Sequence, residues 1–322
     1  MKRIAMACCF VALAACALPA ASQSFPNRPI RFVVPFGPGG PADIAARIVS
    51  SKATDILGQP MVIDNRPGAG GVTGSEIVAR ARPDGHTLLL CSTSVLVFNP
   101  LVMPKVPYDP LRDFTHLSLV MSGPYLLLVH PSFPAKDVKE LIAVAKSKPG
   151  GLNFGSAGLG SAAHLTGERF KSMAGIDMTH VPYKGSGAAA VDLMAGQLHL
   201  VFEAVASSLP HVKAGRLRAL AVSSLERFAL TPNLPTIHES GVSGFESITW
   251  QGICAPAGVP KPVVATLNRA IAQAVRSPEA AERLAALGGQ AVGNSPEQFL
   301  AHVKAEIPRW AKAIKESGAK IR

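Results

Sequence analysis

The stretch Ile30-Arg31-Phe32-Val33-Val34-Pro35-Phe36-Gly37-Pro38-Gly39-Gly40-Pro41-Ala42-Asp43 sets the architecture. Its first five residues are mostly apolar and rich in β-branched types, and Pro35 ends them, as expected of a buried strand. A turn rich in Gly and Pro then feeds a helical pattern over 41–57. Ile44, Ile48, Ile56 and Leu57 give its apolar side, and Gly58 suits the left-handed position just past its end. Met61-Val62-Ile63 reads as a second strand. Residues 72–82 read as a helix stopped by Pro83-Asp84-Gly85, and 87–91 as a third strand. Such a β-α-β-α-β series builds a parallel sheet with helical crossovers.

The alternation resumes after a Pro-rich interval at 99–113. Residues 117–129 carry two short apolar runs split by Ser122-Gly123-Pro124. Strands at 152–154, 178–181, 198–202 and 217–222 then alternate with helices at 136–148, 161–174, 188–195 and 207–214. A Pro- and Gly-rich stretch at 231–244 leads to a strand at 250–255, and helical patterns over 262–275, 279–287 and 296–317 finish the chain. The expected fold class is α/β with two lobes: residues 23–122 plus 248–322 form one, and 123–247 the other. Open α/β sheets bind ligands at the carboxyl ends of their strands, so the site is expected in the cleft between the lobes.

Composition agrees with a globular chain. Of 322 residues, 48% are hydrophobic and 16% charged, which excludes wholesale disorder. The 32 basic residues are scattered rather than clustered, so no nucleic-acid partner is expected. Aromatic residues make up 6%, too few for stacking platforms. The 29 glycines and 27 prolines imply many tight turns.

The N-terminus reads as an export segment over 1–22. Met1-Lys2-Arg3 is a positive start, residues 4–18 are apolar, and Ala20-Ala21-Ser22 suits cleavage after Ser22. Loss of Lys2 and Arg3 lowers the formal charge from +11 by two, to +9. Leu13-Ala14-Ala15-Cys16 also resembles a lipobox that would lipidate Cys16, but the apolar character continues past it through Ala21, which favours a soluble periplasmic form. Cleavage leaves Cys91 and Cys254, each in an apolar strand-like run. Two such distant cysteines read as small free core residues rather than a disulfide framework.

No catalytic or metal motif stands out. HExxH, zinc spacing and a Walker sequence are absent, and Phe154 breaks the GxSxG pattern at Gly155-Ser156-Ala157-Gly158. Gly158-Leu159-Gly160-Ser161-Ala162-Ala163 and Gly185-Ser186-Gly187-Ala188-Ala189-Ala190 both fit GxGxxA between a strand and a helix. An exported chain rarely meets a nicotinamide pool, so no cofactor is expected. What the pattern does offer is backbone N–H groups and a positive helix end, which bind anions. The 36–40 turn repeats that arrangement. Asp43 is expected to cap the helix behind it, with contact to a ligand as the alternative. Asn65-Arg66-Pro67-Gly68-Ala69-Gly70-Gly71 is a further Gly-rich turn, expected to support its neighbour, with an anion held through Arg66 as the alternative.

Many ordered segments together resemble one family. They include Val33-Val34-Pro35-Phe36-Gly37-Pro38-Gly39-Gly40, Leu57-Gly58-Gln59-Pro60, Asn65-Arg66-Pro67-Gly68-Ala69-Gly70-Gly71, Pro83-Asp84-Gly85 and Pro107-Tyr108-Asp109-Pro110. Phe154-Gly155-Ser156, His180-Val181-Pro182-Tyr183-Lys184-Gly185, Arg218-Ala219-Leu220-Ala221-Val222 and Ala255-Pro256-Ala257-Gly258 continue the series. The chain resembles the Bug-type extracytoplasmic solute receptors, the binding subunits of tripartite tricarboxylate transporters. The resemblance implies a type II periplasmic-binding-protein fold that closes like a flytrap on a small organic carboxylate, and a two-component integral membrane permease as partner. A monomer is expected.

Mapped onto this chain, the resemblance gives Phe36, Gly37, Gly39 and Gly40 as backbone contacts. From the second lobe it gives Ser156, Gly160, Ser161 and His164, then Tyr183, Lys184 and Gly185. Thr93 and Ser94 follow the third strand, where their hydroxyls are expected to face the cleft. Glu203 follows the strand at 198–202, where many relatives of this family carry an Asp nearby instead, and is expected either to recognise an amine or hydroxyl on the ligand or to narrow the pocket. Two other functions fit the same sequence: an exported hydrolase using Ser156 or Ser161 with His164, and a ligand sensor for a signalling partner.

Overall fold

The computed structural model describes residues 25–183 and 185–317. The export segment, Cys16 and Lys184 lie outside the described residues. In chain order the elements are β1 (Ile30–Val34), α1 (Pro41–Leu57), β2 (Met61–Asn65), α2 (Val72–Ala79), β3 (Thr87–Ser92), α3 (Asn99–Val102) and β4 (Phe114–Val129). Then come α4 (Val138–Ser147), β5 (Asn153–Ser156), α5 (Ala162–Ala174), β6 (Thr179–Pro182), α6 (Ser186–Met194), β7 (Leu200–Ala204), α7 (Val205–Lys213) and β8 (Arg218–Val222). The chain continues through β9 (Ile248–Pro256), α8 (Lys261–Arg276), α9 (Pro278–Ala286), β10 (Gln290–Ala291) and α10 (Pro296–Ser317).

The strands form a curled mixed sheet in the order β2-β1-β3-β9-β4-β7-β5-β6, with β8 and β10 added beside β4. β1 runs parallel to β2 and β3, with Ile30 opposite Met61 and Phe32 opposite Leu88. Ile30, Phe32, Val33 and Val34 are buried on both faces, which is why this strand reads as continuously apolar. Phe32 and Val34 pack with Leu88, Leu90 and Ile48, while Val33 packs with Leu89 and Val97 on the other side. Gly58 takes φ 68° and its N–H caps α1 on Thr54 O, as its position in the sequence implied.

β4 is a correction to the sequence reading. The two runs split at Ser122-Gly123-Pro124 are one strand that changes partners at the split. Its first part pairs antiparallel with β9, Leu119 opposite Gly252. Its last part lies between β7 and β8, with Leu126 opposite both Glu203 and Val222. Pro124, which has no N–H to give, falls at the end of the β9 ladder opposite Ile248, where the changeover makes that loss cheap. Gly123 is needed there because a Cβ would run into the carbonyl of Gly288. Separate apolar cores flank the two parts of the sheet. Leu127, Phe154, Phe170 and Phe202 centre one beyond the changeover, and Phe98, Phe299 and Trp310 centre one before it.

Two further differences are physical consequences of the strand order. Cys91 and Cys254 are joined in a disulfide rather than free, with Cα atoms 6.1 Å apart. β9 returns from late in the chain to pair antiparallel with β3, setting Leu89 opposite Cys254 and Cys91 opposite Gly252. Nothing in the local sequence signals that pairing. The segment after β3 is also helical: Ser94–Phe98 forms a π-helical turn that runs into α3, burying Val95, Leu96, Val97 and Phe98. Tyr108 Oη donates to Val95 O at 2.8 Å and holds it.

Candidate functional site

A cleft of about 350 Å³ opens at the carboxyl ends of β1 and β3. The 36–40 loop, the residues just after β3 and the start of β9 form its walls, and Tyr125 and Ala162 reach in from beyond the changeover. Its volume suits a small organic molecule.

Asp43 holds the loop in shape. Gly39 N–H donates to its Oδ2 at 2.9 Å, Arg47 Nε donates to the same oxygen at 2.9 Å, and Asn65 Nδ2 donates to Oδ1 at 2.9 Å. The same Asn65 amide donates to Phe36 O at 3.1 Å, which ties the two Gly-rich turns together. Asp43 is 2% exposed, and the Arg47 guanidinium holds its carboxyl down to about 2. Both its oxygens are taken by Gly39, Arg47 and Asn65, so it ties the loop to α1 and β2 rather than capping α1 directly. Gly39 adopts φ 79°, the left-handed conformation that lets its N–H turn back to Asp43. Gly40 is the N-cap of α1 without any side-chain cap, and Pro41 follows with no N–H of its own. The free amides of the first turn and the helix dipole therefore face the cleft mouth.

The hydroxyls after β3 divide their work. Thr93 Oγ1 accepts from Trp250 N at 3.0 Å and donates to Trp250 O at 3.4 Å, fastening the end of β3 to β9. Ser92 Oγ accepts from Val95 N at 3.4 Å. Ser94 lines the cleft beside them.

Ser156, Gly160, Ser161 and His164 gather between the end of β5 and the start of α5 and bond mostly to near neighbours. Ser161 is the N-cap and accepts from His164 N at 3.3 Å. Gly160 N–H donates to His164 Nδ1 at 3.1 Å, which fixes the imidazole as a neutral acceptor at that nitrogen. Ser156 Oγ lies 2.6 Å from His180 Nε2 and accepts from Gly158 N at 3.1 Å. Ser156 is 2% exposed and its imidazole partner is His180, not the His164 of the hydrolase reading, and the contact of Ser161 Oγ is with the His164 backbone N–H rather than its ring. Burial pushes both imidazoles down to about 4, with Lys171 adding to it. Both are neutral at pH 7. Of this turn, Ala162 reaches the wall of the cleft.

Tyr183 Oη donates to Asp192 at 2.7 Å, and burial together with that carboxylate pushes the phenol up to about 12. Gly185, at φ 138°, is the N-cap of α6. Glu203 lies in a different cavity, of about 170 Å³, between α6 and α7. Its Oε1 accepts from Ala204 N at 3.1 Å and from Ser207 Oγ at 2.9 Å, and burial pushes its carboxyl up. Among the described residues no group of His, Cys, Asp and Glu could hold a metal ion, and no helix is long and apolar enough to cross a membrane.

The sequence reading missed Tyr125, Thr249, Trp250 and Gln251, which all line the cleft. β9 looks like a plain core strand in sequence, and only its place between β3 and β4 brings its first residues to the cleft. Polar Thr249 and Gln251 on either side of Trp250 were the available signal.

Residues 45–319 match the model of the tripartite tricarboxylate transporter family receptor. The chain belongs to that family. BugT of Bordetella pertussis is 39% identical over 314 residues, covering 97% of this chain and 96% of its own. The Rhodopseudomonas palustris protein Rpa4515, solved with adipate, is 38% identical and superposes with a TM-score of 0.81, covering 91% of this chain and 98% of its own. MatC of Rhodopseudomonas palustris, solved with bound malate, is 34% identical with a TM-score of 0.77, covering 90% of this chain and all of its own. Membership in the family accounts for the α/β fold and for a curled sheet built in two parts.

Proposed function

We propose that this protein is a periplasmic receptor that captures a small organic carboxylate and passes it to a two-component integral membrane permease. The observation that carries the reading is the 36–40 loop. It is braced from behind by Asp43 and presents the uncapped start of α1 to a cleft of about 350 Å³. Free amides at a helix N-terminus favour an anion without a basic side chain. Relatives that hold adipate and malate support the carboxylate class.

In this reading residues 23–122 plus 248–322 form one lobe and 123–247 the other, after removal of 1–22. The partner change within β4 and the return at β9 support that division. Phe36, Gly37, Gly39, Gly40 and Ser94 receive the ligand from the first lobe, with Thr93 holding the wall. On closure the second lobe brings Ser156, Gly160, Ser161, His164, Tyr183, Lys184 and Gly185 toward it, and Asp43 braces the loop on the first-lobe side. The protein acts as a monomer and catalyses no reaction.

A thermal-shift screen with mono-, di- and tricarboxylates tests this. A ligand that binds the folded state alone raises the melting temperature by linkage. Stabilisation by at least one carboxylate is expected. Stabilisation by a sugar or a cation alone would overturn the proposal.

A further inference from the structure

A second cavity, of about 80 Å³, adjoins the cleft. The two share Pro41, Thr249, Trp250 and Gln251 in their walls, so the space behind the 36–40 loop continues past the start of β9. Beyond those residues the cavity is bounded by Gly123 and Pro124 of β4, Ala204 at the end of β7, and Leu287 and Gly288 just after α9.

The far wall is made of backbone. A Cβ on Gly123 would run into the Gly288 carbonyl, and one on Gly288 would run into the Ala206 amide, so three segments meet there with no side chain between them. Contacts of that kind cannot give way as a flexible side chain can. The wall also lies at the partner change of β4, where the two parts of the sheet join and a movement of one lobe against the other displaces it least. The depth of the site is therefore fixed from this end. Two side chains trim it, Ala204 and Leu287, and both are only partly buried.

The charge of an entering group does not decide what fits. Trp250 Nε1 is a donor without a partner, and the Gln251 amide can be turned either way, so these walls suit a carboxylate, a carboxamide or a hydroxyl alike. Length is what the geometry restricts. A chain that stops short leaves the cavity unfilled. Each methylene that enters it gains about fourfold in affinity, until the chain meets the rigid wall.

We infer that this cavity receives the far end of the ligand, and that Ala204 and Leu287 set the longest carboxylate the receptor accepts. This rests on the carboxylate-receptor reading and adds the reach of the ligand to it.

The test is titration calorimetry on the chain from residue 23 with straight-chain acids of about four to ten carbons. Each length is offered as the monocarboxylate and as the α,ω-dicarboxylate, so that no end group is assumed. In the wild type, affinity should rise with length and then drop at least tenfold at the first acid that is too long. Ala204→Leu enlarges the trimming side chain and should move that cutoff to shorter acids. The affinity of the longest accepted acid, relative to one two carbons shorter, should fall at least tenfold in this variant. Leu287→Ala opens the cavity and should move the cutoff to longer acids, and it carries the test alone if Ala204→Leu does not fold. A cutoff that moves in neither variant, an equal loss at every length in Ala204→Leu, or affinity indifferent to length overturns the inference and leaves the receptor reading standing. Binding by none of the acids overturns both.

Discussion

The imidazole rings of His164 and His180 lie stacked, 18° from parallel, with centroids 3.8 Å apart beneath the turn that starts α5. Phe154 lies beside both rings, and Lys171 is the nearby positive charge. Glu168 Oε1, 3.8 Å from His164 Nε2, pulls the other way but is itself pushed up by burial. The stack is therefore stable only while both rings are neutral.

Acid should weaken the fold earlier than carboxylate protonation alone would do. The unfolded chain takes up protons on these histidines near pH 6.5, whereas the folded chain resists down to about 4. Their contribution is thus fully present above about pH 6.5 and lost as pH falls toward 4. Each histidine adds a slope approaching about 1.4 kcal/mol per pH unit in that window. His116, pushed down to about 4 by burial and by Lys304, acts in the same direction. Urea unfolding between pH 7.5 and 4.5 measures the slope. His180→Gln should flatten it, and a stability independent of pH from 7 to 5 would contradict the account.

Asp43→Ala should damage binding more than folding. It removes three hydrogen bonds that shape the 36–40 loop and strands the Gly39 N–H and the Asn65 amide. A stability loss of about 1–3 kcal/mol is expected. Affinity for whichever carboxylate stabilises the wild type should fall by about tenfold or more, read by thermal shift. Asp43→Asn should recover stability only in part, because its one amide oxygen can accept from Gly39 and Arg47 but its NH2 cannot accept from Asn65, and the charge facing Arg47 is lost.

Reduction of Cys91–Cys254 should destabilise the protein. The two residues are 163 positions apart and both are fully buried. Loss of so long a cross-link costs about 2–4 kcal/mol. Urea unfolding of the Cys91→Ala, Cys254→Ala double variant measures it. Equal stability of wild type and variant would contradict the pairing of β3 with β9 in this register.

Gly123→Ala tests the partner change within β4. A methyl group there meets the carbonyl of Gly288 in the α9–β10 turn. Overpacking against backbone costs about 1–3 kcal/mol. The neighbouring Ser122→Ala, where space is not the constraint, serves as the control.

How much of this was legible in the sequence differs from place to place. β1 and the turn after it could be read directly, because a strand buried on both faces is apolar at nearly every position and its turn must supply left-handed glycine. The helix cap at Gly58 was equally plain, since it is a local requirement. β4 was not, because Ser122-Gly123-Pro124 carries the residues of a chain break and only the long-range pairing with β9 shows that the strand continues. The disulfide and the contributions of Trp250 and Gln251 fail for the same reason: all depend on β9 returning between β3 and β4. Which side of β7 Glu203 faces, and so which cavity it enters, follows from packing alone.

The central claim is that one carboxylate binds in the cleft behind the 36–40 loop. Titration calorimetry of the chain from residue 23 with adipate, malate and the best acids of the thermal-shift screen tests it most directly. The account predicts saturable binding of at least one acid with one site per chain, lost in Asp43→Ala. Absence of saturable heat for every carboxylate, in protein that binds a sugar or a cation under the same conditions, would contradict it.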